Sequence, residues 1–172
     1  MHPTISSRIL TKLNGDSTLL SLFGIVTLDP ANPPCFLYQR QTKVKLPSLT
    51  IKEGGRIETL FPGTDKATQI PDSFVSTNNT TLTVDLWISS DGGVDGALSP
   101  DGLNYPTTGD DANTIIQQVD RLLLLDTINW VQGTHGWKGA SASQQYEVDT
   151  KIWHNVRRYN FDYHIMQGYN VD

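Results

Sequence analysis

The clearest alternation of apolar and polar positions lies in residues 80–90. Four apolar side chains are spaced two apart there, with polar or aromatic side chains between them. The apolar positions are Leu82, Val84, Leu86 and Ile88, and the intervening positions are Thr81, Thr83, Asp85 and Trp87. A period of two predicts a β-strand with one face against a hydrophobic core.

A helical period follows in residues 112–126. Its apolar side chains fall on one face, at Ile115, Ile116, Val119, Leu122 and Leu123. Asp110 and Asp111 come directly before it, where the positive end of the helix dipole favours negative charge. The pattern predicts a long helix packed across the sheet that contains residues 80–90.

Two short helices are predicted at the N-terminus. In the first, apolar residues recur at helical spacing at Ile5, Ile9, Leu10 and Leu13, and Asn14–Gly15 ends it. Asp16 or Ser17 can cap a second helix that runs through Leu22 and Phe23 and ends at Gly24.

Further strands are predicted at residues 36–41, at 46–52 with Pro47 at the start, and at 151–166, with shorter ones at 128–132 and 145–148. The element order predicts an α+β fold. It consists of a mostly antiparallel sheet with a long helix packed across it and short N-terminal helices. We found no internal repeat and no linker, so residues 1–172 are predicted to form a single domain.

Two stretches rich in glycine and proline, residues 54–76 and 91–108, are predicted to be long loops. They flank the strand at residues 80–90, one at each end. Loops longer than about 12–15 residues are uncommon in compact domains and are usually functional or disordered. Residues 133–143 are small and polar and predict a third loop.

Composition narrows the choice of partners. The formal net charge of −5 argues against a nucleic-acid binder held by phosphate contacts. We interpret the two local groups of basic residues as solvated strand faces; they are Arg40 with Lys43 and Lys45, and Arg157 with Arg158. The single cysteine, Cys35, excludes an internal disulfide and is interpreted as a small buried residue. The sequence shows neither a secretory signal nor a run long enough to span a bilayer, so we expect a soluble protein made in a reducing cytosol.

The histidines are the first candidates for chemistry. His135 lies in the predicted loop beside Trp137 and could act as a general base, but no acid or nucleophile accompanies it at a known spacing. His154 and His164 share one face of the last strand, about 33 Å apart at strand rise. They cannot share a metal unless the chain bends. The sequence therefore predicts no catalytic residue, no cofactor and no metal site.

An acidic loop and four tryptophans complete the candidates. Asp91, Asp95 and Asp101 suggest calcium, and Gly96 fits an EF-hand loop that starts at Asp91. The rest of the EF-hand pattern is absent, because glycine occupies the third and twelfth positions, where the calcium ligands should be. The tryptophans are Trp87, Trp130, Trp137 and Trp153. Trp87 on the polar strand face indicates either a contact surface for sugar or protein, or a sheet covered on both faces.

The order of the predicted elements and their sequences resemble those of a known family. A helix with Ile5, Ile9 and Leu13 precedes LPSLTIKE at residues 46–53 and TTLTVDLWISS at 80–90. DANTIIQQVDRLLLL at 111–125 and KIWHNVRRYNFDYHI at 151–165 follow. Together they resemble the tail terminator proteins of long-tailed bacteriophages, also called tail completion or tail-to-head joining proteins.

The resemblance implies a structural virion protein without enzymatic activity. Such a protein forms a ring, expected to be hexameric, that ends tail-tube polymerisation and joins the tail to the capsid neck. Its partners are the tail tube protein and the neck or connector protein, and DNA passes through the lumen without sequence-specific binding. The resemblance places it at the tail–neck junction of the virion, after assembly in the host cytoplasm and without a membrane. The acidic net charge is compatible, because an acidic lumen repels phosphate.

Two other classes stay open on the sequence. A carbohydrate-binding or other adhesion module of a phage particle would use the tryptophans and a metal within residues 91–101. A small hydrolase would use His135 with a nearby carboxylate. Native mass separates a ring from a monomeric binding module, and a pocket that joins His135 to an acid would favour the hydrolase.

Overall fold

The computed structural model describes residues 5–37, 46–63, 73–91, 105–125 and 134–168. Within these ranges the helices are α1 (Ile5–Gly15), α2 (Ser17–Leu22) and α3 (Gly109–Asp120), and a π-helical turn at Arg121–Leu125 follows α3. The strands are β1 (Cys35–Leu37), β2 (Ser48–Gly63), β3 (Ser73–Ser89), β4 (Thr134–Glu147) and β5 (Ile152–Gly168).

The five strands form one sheet in the order β1-β2-β3-β5-β4. β1 pairs with β2 in parallel, and the other three neighbouring pairs are antiparallel. The predicted α+β class with a mostly antiparallel sheet is therefore confirmed. β3, the strand with the clearest alternation, lies at the centre of the sheet.

One face of the sheet, which we call the helix face, carries the hydrophobic core. The apolar positions predicted for β3 are all completely buried, as are Leu49 and Ile51 of β2. They form one cluster with buried residues of the helices, among them Ile9, Leu19, Ile115, Val119 and Leu123. The alternate residues of the strands form the opposite face, which we call the polar face.

α3 begins earlier than its apolar period predicts because Thr108 caps it. The Thr108 hydroxyl accepts a hydrogen bond from the Asp111 N–H at 3.1 Å, and the Asp111 carboxylate accepts one from the Thr108 N–H at 3.0 Å. This reciprocal capping box satisfies N–H groups that the first turn leaves unpaired. The α-helical geometry ends at Asp120, although Leu122 and Leu123 stay buried through the π-helical turn.

Both predicted N-terminal helices are present. Asp16 is the cap of α2, since its carboxylate accepts a hydrogen bond from the Leu19 N–H at 2.7 Å. Asn14 connects the end of α1 to β1: its amide donates to the Cys35 carbonyl at 2.9 Å and accepts from the Cys35 N–H at 3.2 Å. The two Asn14 bonds therefore join the end of α1 to the sheet.

The prediction of a loop over residues 54–76 was wrong for most of its length. β2 continues to Gly63 and β3 begins at Ser73, so the segment is largely a long antiparallel arm. The pairing register shifts between Glu53 and Arg56, and a Cβ added to Gly54 would lie 3.2 Å from the Thr81 carbonyl oxygen. The glycines therefore mark a bulge inside a strand and not the end of the strand.

The prediction of a loop over residues 133–143 was also wrong, because β4 starts at Thr134 and pairs with β5 along its length. Backbone hydrogen bonds build this strand, and its small polar side chains give no apolar alternation for a pattern to detect. Parts of other predictions lie outside the described residues. They are the end of the strand at 36–41, the strand at 128–132, and most of the loop at 91–108.

Candidate functional site

The strand register brings polar and aromatic side chains together on the polar face. Ser48, Trp87, His154 and Gln145 form one row across four strands. The imidazole of His154 stacks on the indole of Trp87, with ring centroids 3.6 Å apart and planes 7° from parallel. His154 Nε2 also lies 3.0 Å from Oδ1 of Asp85 in the neighbouring row. The stack and the hydrogen bond together hold the imidazole in one orientation.

The Trp87–His154–Asp85 group is only partly accessible. The His154 and Asp85 side chains keep 18% and 25% of their exposure, and Ser48 and Thr50 in the adjoining strand are buried. An ordered, half-buried group of aromatic and polar side chains suits a fixed contact surface. Two basic residues lie beyond it on the polar face, since Lys52, Thr83 and Arg158 form the following row.

A second polar group lies on the helix face, where Asp120 at the end of α3 meets β5. Arg157 donates to both carboxylate oxygens of Asp120, from Nε at 3.0 Å and from a terminal nitrogen at 2.7 Å. The Tyr159 hydroxyl donates to the same carboxylate. Burial, followed by that hydrogen bond to Asp120, raises the pKa of Tyr159 well above its ordinary value. Burial lowers the pKa of Arg157, but the bonds and charge of Asp120 outweigh it and leave a net rise.

At one end of the sheet, the end of β3, the β4–β5 turn and the start of α3 meet. The Tyr146 hydroxyl lies 3.2 Å from the Ser90 hydroxyl, and the Tyr146 ring is 4.7 Å from the Trp153 ring. Gly109 permits this approach, because a Cβ there would lie 2.8 Å from Gln144 Nε2 and 3.2 Å from Trp153. Val148 in the turn is 74% exposed. β3 ends here, and the described chain stops two residues later at Asp91.

The structure places the predicted histidines in two neighbouring strands, with His135 opposite Asp162 in the register. His135 and Trp137 belong to β4, so the interpretation of His135 as a loop histidine was wrong. Irregular pairing with β5 surrounds Trp137 in the ladder. His154 and His164 both lie in β5, at an even separation as predicted. His154 is the histidine that contacts Asp85.

The structure also locates several of the acidic, cysteine and basic candidates from the sequence. Asp91 pairs with Lys151 at 3.1 Å in an exposed ion pair, whereas Asp95, Asp101 and Trp130 lie outside the described residues. Cys35 is buried in the core as predicted, and burial raises the pKa of its thiol. Arg157 was wrongly interpreted as part of a solvated face, since it is paired and mostly buried; its neighbour Arg158 is exposed.

Two groups escaped the sequence reasoning because their members are far apart in the chain. Asp85 and His154 are 69 residues apart, and Asp120 and Arg157 are 37 apart. The available signal was the polar face of β3, where Asp85 and Trp87 stand two apart. Within the described part of the chain, no group of three or more His, Cys, Asp or Glu side chains could hold a metal ion. No helix in that part is long and apolar enough to cross a membrane.

Comparison with known proteins gives a fold relationship. No family model matches the chain, and no curated protein matches it. Among solved structures, the fold is similar to that of a chain in the virion of a native gene transfer agent particle, with a TM-score of 0.53. The match covers 94% of this chain and 95% of that chain at 10% sequence identity. The likeness thus extends over nearly the whole of both chains, and at this identity it shows a shared fold.

Proposed function

We propose that this chain is a structural virion protein of a tailed phage or phage-like particle. In this proposal it acts as a single-domain tail terminator that forms a ring, ends tail-tube polymerisation and joins the tail to the capsid neck. The observation that carries the proposal is the fold likeness to a chain of a virion particle over nearly the full length of both chains. The order of elements, which resembles that of tail terminators, supports the same conclusion independently of the superposition.

The proposed partners are further copies of this chain in a hexameric ring, a tail tube protein and a neck protein. DNA would pass through the ring without sequence-specific contacts. The net charge of −5 supports passage without retention, because a surface that is acidic overall repels the phosphate backbone. No catalytic step, cofactor or membrane contact is part of this role.

The adhesion module is less well supported by the geometry of Trp87. A sugar-binding tryptophan presents its ring face to the ligand. Trp87 instead stacks one face on His154, within a group fixed by Asp85. This arrangement favours a structural use of the indole.

The test is deletion of the coding sequence from the particle's genome, followed by electron microscopy of the lysate. We expect DNA-filled heads and separate tails of uneven length, and a plasmid copy of the wild-type chain should restore joined particles. Head-attached tails of normal length in the deletion strain would contradict the proposal. Joined particles that fail to adsorb to cells would favour the adhesion module instead.

A further inference from the structure

Two exposed cations stand side by side on the polar face of the sheet. Lys52 of β2 and Arg158 of β5 flank Thr83 of β3 in the register, so their backbones are about 10 Å apart. We call these three residues the basic row. Both cationic side chains are exposed, and neither forms an ion pair with another described residue. Asp85, the described carboxylate in the adjoining row, is already held by His154.

The described helices leave this face of the sheet to other partners. α1, α2 and α3 all contribute buried residues to the core cluster, whose strand members belong to the helix face. On the polar face, Val156 and Trp87 are partly exposed beyond the basic row. Arginine and aromatic side chains are enriched at protein interfaces. Cations next to partly exposed apolar side chains fit a protein segment that carries both carboxylates and an apolar group.

A segment of that chemistry lies in this chain, at the turn between β4 and β5. Residues 146–149 read YEVD, and we call them the acidic turn. Tyr146 and Val148 are two of the three large apolar side chains that are exposed in the described ranges. The two carboxylates of the turn are exposed as well, and neither is in an ion pair with a described residue. Lys151, the cation that follows them, is already in an ion pair elsewhere.

The acidic turn and the basic row are too far apart to meet within one chain. Glu147 lies opposite Ile152, which precedes Arg158 by six residues, or about 20 Å along β5. An ion pair needs nitrogen and oxygen within about 4 Å, and a paired sheet does not fold back over that distance. Each patch is therefore available to a second copy. Contact between two different patches is heterologous, which is the kind of contact that closes into rings.

We propose that the acidic turn of one copy binds the basic row of the next copy. Its carboxylates meet Lys52 and Arg158, and Val148 lies against the apolar side chains beside them. This inference rests on the proposed ring and names the two surfaces that build it. Opposite charges also select this pairing, because row against row or turn against turn would bring like charges together. Since both patches are exposed, the contact should weaken as the ionic strength rises.

Charge reversal on each patch tests the proposal. Arg158→Glu puts like charges into the contact and should raise the concentration needed for assembly at least about tenfold. Asp149→Arg should do the same from the other side. With both changes in one chain, every copy again presents opposite charges, and this concentration should return to within about threefold of the wild type. Arg121→Glu, the same change at an exposed position after α3, is the matched control and should shift it less than about twofold.

Native mass spectrometry and sedimentation over a concentration series give the readout, with thermal melts to confirm folding. The wild type and the control should form one assembly of more than two 19.1 kDa chains. If Arg158→Glu melts far below the wild type, Lys52→Glu takes its place with the same expected loss. Three results would overturn the proposal: a wild type that stays monomeric, a folded charge-reversed variant that assembles like the wild type, or a double variant that assembles no better than either single one.

The deletion strain separates this contact from the proposed function. A folded Arg158→Glu variant that assembles normally and restores joined tails would remove the contact and leave the function standing. Normal, head-attached tails in the strain without the chain, together with charge-dependent assembly of the pure protein, would remove the function and leave the contact.

Discussion

At the scale of single residues, the ion pair of Asp120 and Arg157 shows how a partly buried carboxylate is stabilised. Asp120 is the last residue of α3, and its side chain is only 22% exposed, so its charge is partly removed from water. Arg157 offsets this with two hydrogen bonds in a fork that matches the carboxylate. The pair therefore stabilises the junction between α3 and β5, provided that both partners are present.

A double-mutant cycle should measure this coupling. Asp120→Ala leaves the Arg157 guanidinium mostly buried without its partner, and we expect a loss of about 2 kcal/mol in the free energy of unfolding. Arg157→Met, which keeps most of the apolar stem, should cost a similar amount, and the double variant about 1 kcal/mol less than the sum. Urea denaturation at neutral pH supplies the four values.

The exposed pair Lys151–Asp91 is the internal control for this cycle, because each of its side chains is 59% exposed. Water screens that pair, so its coupling should be below about 0.5 kcal/mol. Equal coupling energies for the two pairs would contradict the claim that the Asp120–Arg157 pair stabilises the junction between α3 and β5.

At the scale of elements, the start of α3 depends on its capping box. Thr108→Ala removes the hydroxyl that accepts from the Asp111 N–H, and we expect a loss of about 1 kcal/mol. For a chain of this length, that corresponds to a melting temperature lower by about 2–4 °C. Gln117→Ala, at an exposed position of the same helix, should change the melting temperature far less. A thermal scan in which both variants behave alike would count against the cap.

The same box predicts a dependence on pH. The hydrogen bond from the Thr107 N–H, helped by those from Thr108 and opposed by partial burial, holds the pKa of Asp111 below its ordinary value. A lowered folded-state pKa means that the unfolded chain takes up the proton first. The contribution of Asp111 is therefore complete above about pH 4 and is lost as the pH falls through the lowered value. With Asp111→Asn, the melting temperature should fall less steeply as the pH is lowered below about 4. The same dependence on pH in the variant and the wild type would refute this assignment.

At the scale of the whole molecule, β3 fixes where the flanking segments emerge. It runs without a break from Ser73 to Ser89, about 55 Å at strand rise. Residues 64–72 precede one end of it and residues 92–104 follow the other. Under the proposed role between a tube and a neck, we expect one of these two segments to meet each partner.

Replacing residues 93–103 by a short Gly–Ser linker should separate folding from joining. The core, the capping box and the strands that the structure describes use other residues, so we expect the melting temperature to stay within about 2 °C of the wild type. In the deletion strain, this variant should give unjoined heads and tails, or tails of uneven length. Normal-length, head-attached tails in micrographs would remove this segment from the docking role. An equal replacement within residues 64–72 tests the opposite end in the same assay.

How much the sequence predicted depended on whether a segment buries apolar side chains. Wherever one face of an element meets the core, the period is visible: the core-facing part of β3 from residue 80 and both N-terminal helices were predicted correctly, as was the burial of Cys35. The α+β class followed from these elements. The residue-scale candidates were predicted less well, because a histidine shows its partner only when the partner is near it in the chain.

The sequence by itself therefore determined the core elements and the class of fold, since each amphipathic element must bury its apolar face. Only the tertiary structure decided that residues 134–143 form part of a strand and that residues 54–63 extend an arm, because pairing by backbone hydrogen bonds leaves no side-chain period. The tertiary structure also brings Asp85 into contact with His154 and Asp120 into contact with Arg157. These pairs depend on the register between strands and on how α3 lies against β5, and both are set by the packing of the whole core.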